Sequence, residues 1–566
     1  MGVQPRELRA QPLSAGWRAG AALLALLAAA PAGAADPADP EPAFSYERPE
    51  SLPSDEELVA MGAVIGEVRL DRQQIFDTSQ PEEDKALYRL ANRLHPLTRP
   101  SVITSQLLFA SGDPYDPRLL AESERILRGN GFLFDALVVP VAYENGEVDV
   151  LVRTRDVWTL EPSLSLSRSG GENRTLLGVE DQNFLGTGAT IALEFESDVD
   201  RDSRRITYSD RQLGRNWISA DLSYSDNTDG STQALSVWRP FYALDTRWAG
   251  GFTGFSDDRE ESLYELGDEV VDYRHEEQLL HAWYGWSPGL RGGWTRRWRA
   301  GVIYDDNVFG PPDDLVRAGP VPEDRKLVYP YIGVEIIEDR YTETMNHDQI
   351  GRTEDFFLGT RLSARIGWSD ESFGADRDAW LVSGAASRGY GTPAERMLLL
   401  DARASARLES GEVENGLVRG SIRYYHKQSE KRLFFMTLHG AVSENLDLDN
   451  PLQLGGDRGL RGYPIRYQTG EASAVFTIEQ RYFTDWYPWR FFRVGGAVFA
   501  DIGRTWGDNP VGGGSLGLLK DAGFGLRLAP TRGGTEKVIH IDVAFPLDGD
   551  DSLDTVQISV EGKRSF

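Results

Sequence analysis

Two charged residues carry the most chemical promise. Arg461 lies in the glycine-rich stretch Leu454-Gly455-Gly456-Asp457-Arg458-Gly459-Leu460-Arg461-Gly462-Tyr463-Pro464, which reads as a long connection between two late strands. Asp501 lies in Phe499-Ala500-Asp501-Ile502-Gly503, on the polar side of an alternating segment. A guanidinium and a carboxylate in a confined space pair in a bidentate, orientation-fixing way, so the chemistry on offer is a lock between loop and strand. Removing one partner of such a pair costs more than the pair contributes, because the other charge stays partly buried. The alternative is an Arg461 in a solvent-exposed turn.

Bond-breaking chemistry is harder to find. Gly513-Gly514-Ser515-Leu516-Gly517 matches the G-x-S-x-G pattern, but a nucleophile elbow needs a buried strand before the serine and a helix after it. Here Asp508-Asn509-Pro510 and a glycine run precede it and strand-like sequence follows, so it reads as a turn. The 7 histidines are scattered with no H-E-x-x-H or similar metal spacing. We expect no enzyme, no cofactor and no metal. A formal charge of −28 argues against nucleic acid, whose phosphates need Lys and Arg. Acidic segments such as Glu196 to Arg205, Ser256 to Asp272 and Asp305 to Asp324 read as solvated loops in preference to cation sites, since none has fixed ligand spacing.

The elements that must position Arg461 and Asp501 are strands. From Trp158 onward, short alternating segments separated by Gly, Asp, Asn and Ser continue to the end. Val494, Gly496, Val498, Ala500 and Ile502 alternate with Arg493, Gly495, Ala497, Phe499 and Asp501. Phe524, Leu526 and Leu528 oppose Gly523, Gly525 and Arg527; Ile539, Ile541 and Val543 oppose His540 and Asp542; Val556, Ile558 and Val560 oppose Gln557, Ser559 and Glu561. One apolar face fits a soluble sandwich or a membrane barrel equally well. Aromatic clusters at segment ends favour the barrel, because an interfacial girdle would lie there: Trp238 to Tyr242, Tyr482 to Tyr487 and Trp489 to Phe492.

The N-terminus agrees. Arg6, Arg9 and Arg18 precede the apolar stretch Ala19 to Ala30 and small residues near Ala34 and Ala35, which reads as a secretory signal peptide over 1–35, followed by an acidic Pro-rich linker over 36–61. Mean hydropathy of −0.40 excludes a bundle of spanning helices. The absence of cysteine means that an exported chain must hold itself by packing and hydrogen bonding. Over 62–157 the order reads strand, helix, helix, strand, strand: Ala63 to Leu70, then Leu87, Leu90, Ala91 and Leu94 at helical spacing, then Leu119 to Leu127, then two strands joined at Glu144-Asn145-Gly146.

Several of these stretches resemble one family. Gly112-Asp113-Pro114-Tyr115-Asp116, with Leu119, Leu127 and Gly131-Phe132, resembles the POTRA domain found in front of barrels of the BamA/TamA superfamily. Leu460, Arg461, Gly462 and Tyr463 resemble that superfamily's conserved loop element, with Leu where Val or Ile is more usual, and Phe499 to Gly503 resembles the strand whose acid, Asp501, receives the loop arginine. Asn183 to Gly188 and Phe476 to Arg481 resemble further family strands, and Phe566 resembles the C-terminal aromatic insertion signal of outer-membrane barrels. The resemblance implies an all-β transmembrane barrel of 16 antiparallel strands over 158–566, although the pattern itself offers about twenty candidate segments. The α+β domain in front would be periplasmic and present a sheet edge and helix groove to extended segments, where the bland alternative is a spacer.

The implied work is insertion or translocation of proteins, with lipids a further cargo, at a Gram-negative outer membrane. Its partners would be outer-membrane lipid, lipopolysaccharide and unfolded client proteins. A passive or gated pore and a structural surface barrel stay open as alternatives.

Overall fold

The computed structural model describes residues 46–566 apart from 170, 313–316, 513–515, 534–537, 551–552 and 564–566, with the backbone alone at 161–169 and 172. The signal-peptide stretch, the serine of the G-x-S-x-G match and Phe566 therefore lie outside the described residues.

Within the stretch read as linker, Ser54 opens a short helix, α1 (Asp55–Ala60). Its hydroxyl accepts from the Glu57 amide at 3.2 Å while the Glu57 carboxylate accepts from the Ser54 amide at 2.8 Å, a reciprocal cap that satisfies two otherwise orphaned donors. There follow β1 (Val64–Gln73), α2 (Ala86–Leu94), α3 (Pro100–Thr104), α4 (Pro117–Arg128), β2 (Leu133–Glu144) and β3 (Glu147–Asp156), the expected order with one extra short helix. The strands form a sheet in the order β1-β3-β2, with β1 parallel to β3. Its core joins Leu58, Ile65, Ile103, Leu120, Leu127 and Val150. The leucine stripe of α2 is turned the other way: Leu87, Leu90 and Leu94 are exposed, and Tyr88 is the side chain that is buried. Tyr88 instead stacks on Phe76 at 4.2 Å with Phe491 at their edges, so the helix is held by aromatic contacts.

Beyond residue 158 the chain is a single antiparallel ring. Among the described residues, twenty strands of seven or more residues, from Leu160–Ser169 to Gln557–Lys563, pair with their sequence neighbours, and a two-residue stub, Leu290–Arg291, adds to one edge. The 16 strands that the family resemblance implies are thus too few, and the count from the alternating pattern is the better one. The reason is local, since individual segments carry their own reversals. Leu266-Gly267 and Ser410-Gly411 each place two successive residues at positive φ (54° and 91°; 51° and 92°), the backbone that two-residue hairpins require.

Among the described residues, the last strand meets the first at one ladder position, Val560 opposite Arg168. The neighbouring pairs hold seven and ten positions. Outward-facing Val302, Ile332, Ile366, Val418, Val498 and Phe524 are exposed, whereas inward-facing Glu479, Arg481, Asp501, Arg527 and Asp542 are buried. Apolar-out, polar-in alternation is the pattern of a barrel that faces lipid. No helix of the described residues is long and apolar enough to cross a membrane.

The expected aromatic girdle needs correction. Tyr482, Trp486 and Trp489 are exposed at strand ends, but Phe241 and Tyr487 are buried and Phe491 packs on the small domain. Cationic partners account for two of these: Arg297 lies 4.9 Å from the Phe241 ring centre and Arg493 lies 4.2 Å from that of Tyr487.

Candidate functional site: an ion-pair column inside the ring

The connection between strands Arg432–Glu444 and Ala472–Phe483 folds back into the ring. It is closed at its base by a small ladder, Leu452–Leu454 with Gln468–Gly470, and tightened at its tip by Gly456 N–H to Pro464 O at 2.9 Å and Tyr463 N–H to Leu460 O at 3.0 Å. Leu460, Tyr463 and Tyr467 pack with Leu454, Val475 and Leu519 as an apolar collar. That collar excludes water from the arginine between them.

Arg461 reaches from the loop to Asp501 and Glu479. Its Nε and Nη2 donate to the two Asp501 carboxylate oxygens at 2.8 and 2.9 Å, and Nη1 donates to Glu479 Oε1 at 2.8 Å. Its guanidinium lies 3.4 Å from the centre of the Phe499 ring. Thr477 Oγ1 donates to Asp501 at 2.7 Å, so the acid is oriented from its own wall as well. Arg461 and Asp501 are both almost fully buried, and a bidentate fork in that setting fixes the loop in register and angle.

The other motif residues have separate tasks. The Gly462 N–H donates to Asp521 Oδ2 at 3.1 Å, and a Cβ at this position would stand 2.6 Å from Asp521 Cβ, so only glycine fits. The Tyr463 hydroxyl donates to Asp548 Oδ1 at 2.6 Å and accepts from Lys520 N–H at 2.9 Å. Leu460 fills the space beside Gly503, whose absent side chain makes room for it. Farther out, Arg466 clasps both oxygens of Asp200 at 2.7 Å, which ties the loop to a turn of the first strands.

Sequence reasoning missed the continuation of this pairing. Glu479 also accepts from Arg481 Nε at 2.9 Å, and Arg481 donates to the His347 carbonyl at 2.8 Å and to Asp348 at 3.2 Å. Arg527 pairs with Asp542 at 2.5 Å on the adjoining wall. The signal was present as period-two charge: Glu479 and Arg481, like Arg527 and Asp542, fall on the inward phase of their strands.

His347 and Asp348 belong to a hairpin, Tyr341–Met345 with Thr353–Phe357, inserted between strands Arg325–Glu338 and Arg361–Ser369. Phe356, Ile350 and Leu358 from this insert pack with Met397, Tyr425, Leu433, Phe435 and Phe483 of the wall, closing that end of the ring with an apolar cluster. The hairpin is gripped from the small domain. Arg128 donates to Asp355 at 2.8 and 3.0 Å and to Glu343 at 2.6 Å, and Thr353 Oγ1 donates to Asp135 at 2.9 Å. An unbroken series of contacts therefore leads from Arg461 through Glu479, Arg481, Asp348 and the hairpin to Arg128.

No family model matches this chain, and no curated protein matches it. Among solved structures it is similar to BamA from Haemophilus ducreyi lacking POTRA domains 1-3, at 12% identity over 88% of this chain and 84% of that one, with a TM-score of 0.36. It is also similar to CdiB from Acinetobacter baumannii, at 12% identity over 88% and 74% with a TM-score of 0.44, and to CdiB from Escherichia coli, at 12% identity over 88% and 76% with a TM-score of 0.43. Likeness at this level says nothing about activity, so what the chain does must follow from its own residues.

Proposed function

We propose that this chain is an outer-membrane barrel of the BamA/TamA kind that inserts or translocates proteins, with its POTRA-like small domain in the periplasm. The observation that carries the reading is the clamp of Arg461 by Asp501 and Glu479 inside the ring. A loop drawn back into the interior and fixed there by a buried fork shapes a passage; a purely structural barrel has no need of it.

Two further features support the reading. Among the described residues the seam between Leu160–Ser169 and Gln557–Lys563 is held at one ladder position, so it is the cheapest place to open the ring. Parting it would present two strand edges whose free N–H and C=O groups can template an incoming client strand. In the small domain, β1 and β2 are the outer strands of the sheet, the position from which β-augmentation proceeds. Unfolded clients would meet the small domain first, and lipid and lipopolysaccharide would surround the apolar outer face.

The decisive test is a charge exchange. Arg461→Asp and Asp501→Arg are made singly and together, with barrel folding read by heat-modifiable mobility and client levels read in the outer-membrane proteome. Failure of both singles with recovery in the exchange supports the lock and the assembly role. Singles that behave like the parent chain sink the lock. Depletion of the protein with no change in other barrels or in lipid asymmetry sinks the assembly role, and large conductance in planar bilayers would then favour a pore.

A further inference from the structure

Beyond strand Arg432–Glu444 from the ion-pair column, the interior wall is basic and open. Arg299, Arg365, Arg403 and Arg419 line one cavity of about 490 Å³. Backbone register sets their spacing: Arg299 and Arg365 both stand opposite Gly333, and Arg403 stands directly opposite Arg419. Among the described residues no carboxylate is paired with any of the four. The acid that shares the cavity, Glu335, is already taken, by Arg297 at 3.2 Å and by Arg361 at 2.9 Å. Asp401, on the inward phase beside Arg403, accepts from the Ser421 hydroxyl. Two of the arginines are steadied by rings instead, Arg299 over Trp283 at 5.0 Å and Arg365 over Tyr331 at 5.3 Å.

Such a wall is costly to fold. Like charges directly opposite one another on adjacent strands destabilise a sheet. In a chain of net charge −28, carboxylates to neutralise this wall were available in number. Guanidiniums held in place and left without acids have the geometry that binds phosphate and carboxylate groups, and rings of Arg and Lys line anion-binding pores. With strands about 4.8 Å apart, the four arginines reach across roughly 25 Å of wall, too far for one phosphate. The outward residues of the same strands, among them Val302, Ile332, Ile366 and Val418, are apolar, so access is through the interior.

We infer that this wall is a binding site for an oligoanion that carries at least two phosphate groups and is taken up through the interior of the ring. The phosphates could belong to a soluble oligophosphate or to a phosphorylated lipid headgroup.

The full chain, folded in neutral detergent, is titrated with inorganic tripolyphosphate by calorimetry, and the Arg365→Ala/Arg403→Ala variant is compared with Arg89→Ala, a change on the exposed side of the small domain. Saturable binding that weakens as salt rises and that falls roughly tenfold or more in the double variant, but not in Arg89→Ala, is the expected result. No heat in the parent chain, or equal binding in the double variant, overturns the site. Folding of the variants is checked by heat-modifiable mobility; should the alanine pair fail to fold, Arg365→Lys/Arg403→Lys keeps the charge but loses the fork, and undiminished binding there overturns the proposal as well. Repeating the titration in nanodiscs with and without phosphatidylglycerol separates the two sources. Competition by the anionic lipid marks a headgroup site, and indifference to it marks a site for soluble anions.

Discussion

The interior of the ring has two walls that treat arginine in opposite ways. Along the strands from Ala472 to Pro546, Arg461 of the inward loop and Arg481 and Arg527 of the wall are buried against Asp501, Glu479, Asp542 and, from the inserted hairpin, Asp348. On the strands from Trp294 to Ser429, Arg299, Arg365, Arg403 and Arg419 face a cavity, and among the described residues none of the four is paired with an acid. The residue type and the inward direction are the same. What differs is whether a carboxylate lies within reach, on the same strand, a neighbouring one or the inserted hairpin, and that decides whether an arginine is a structural bolt or a reaching hand. A buried pair gains from each partner what it lost in hydration, whereas a solvated cation keeps its water until a ligand replaces it. Each wall can be broken on its own, and the two should respond with opposite sign.

The largest effect belongs to the paired wall. Arg461→Ala leaves Asp501 and Glu479 buried with one cation fewer, and a loss of about 3–5 kcal/mol is expected from uncompensated buried charge. Urea unfolding followed by heat-modifiable mobility measures it, and limited proteolysis should cut the freed loop within 445–471. Unchanged stability together with an uncut loop would show that the clamp holds nothing.

Next comes the grip of the small domain on the hairpin. Arg128→Ala removes the donors to Asp355 and Glu343 while leaving the apolar cluster around Phe356 intact, so the cost should be about 2 kcal/mol, of the size of a charge-assisted hydrogen bond. Hydrogen exchange should rise at Tyr341–Met345 and Thr353–Phe357 and stay unchanged at Gln557–Lys563. A uniform rise would mean that Arg128 supports the whole fold and not the hairpin.

How far these walls could be seen in the sequence differs as sharply as their chemistry. Arg461, Gly462, Tyr463 and Asp501 were legible through their resemblance to the superfamily's loop and strand elements, which the polar phase of Asp501 supports. Glu479, Arg481 and the hairpin at 341–357 were not, because their meaning depends on which strands lie across the interior, and alternation fixes phase without fixing neighbours. The leucines of α2 show the same limit from the other side. Helical spacing made Leu87, Leu90 and Leu94 look like a core stripe, yet the helix is seated by Tyr88 against Phe76 and Phe491, the last of them some four hundred residues away. The ring's size was carried by its two-residue reversals, which are local, better than by family likeness, which is not.

A smaller and reversible effect is expected from acid. Asp200 and Asp548 tie the outer part of the loop, and both carboxyls sit below their ordinary range. Burial works against ionisation in each, but the Arg466 fork outweighs it at Asp200, and hydrogen bonds from Tyr463 and Lys520 outweigh it at Asp548. Depressed carboxyls contribute stability in full above about pH 4, where the unfolded groups ionise, and lose it as pH falls through their folded values. Protease access to 445–471 should therefore rise steeply below about pH 4 in the parent chain and already be high at neutral pH in Arg466→Ala. A parent profile that is flat down to pH values well below that range would detach these two acids from the loop.

The smallest change carries the most information about the unpaired wall. Arg403→Ala deletes one of two guanidiniums that stand directly opposite each other, so in the absence of added anion it should stabilise the ring, by roughly 0.5 kcal/mol as for other cross-strand pairs. The same substitution at Arg461 destabilises, although both are Arg→Ala on the interior side. Tripolyphosphate should reverse the ranking: it should raise the melting temperature of the parent chain above that of Arg403→Ala, because an anion that binds only the folded ring stabilises it in proportion to its affinity. If Arg403→Ala is instead destabilising with and without the anion, Arg403 has a buried acidic partner in solution, and the two walls are alike after all.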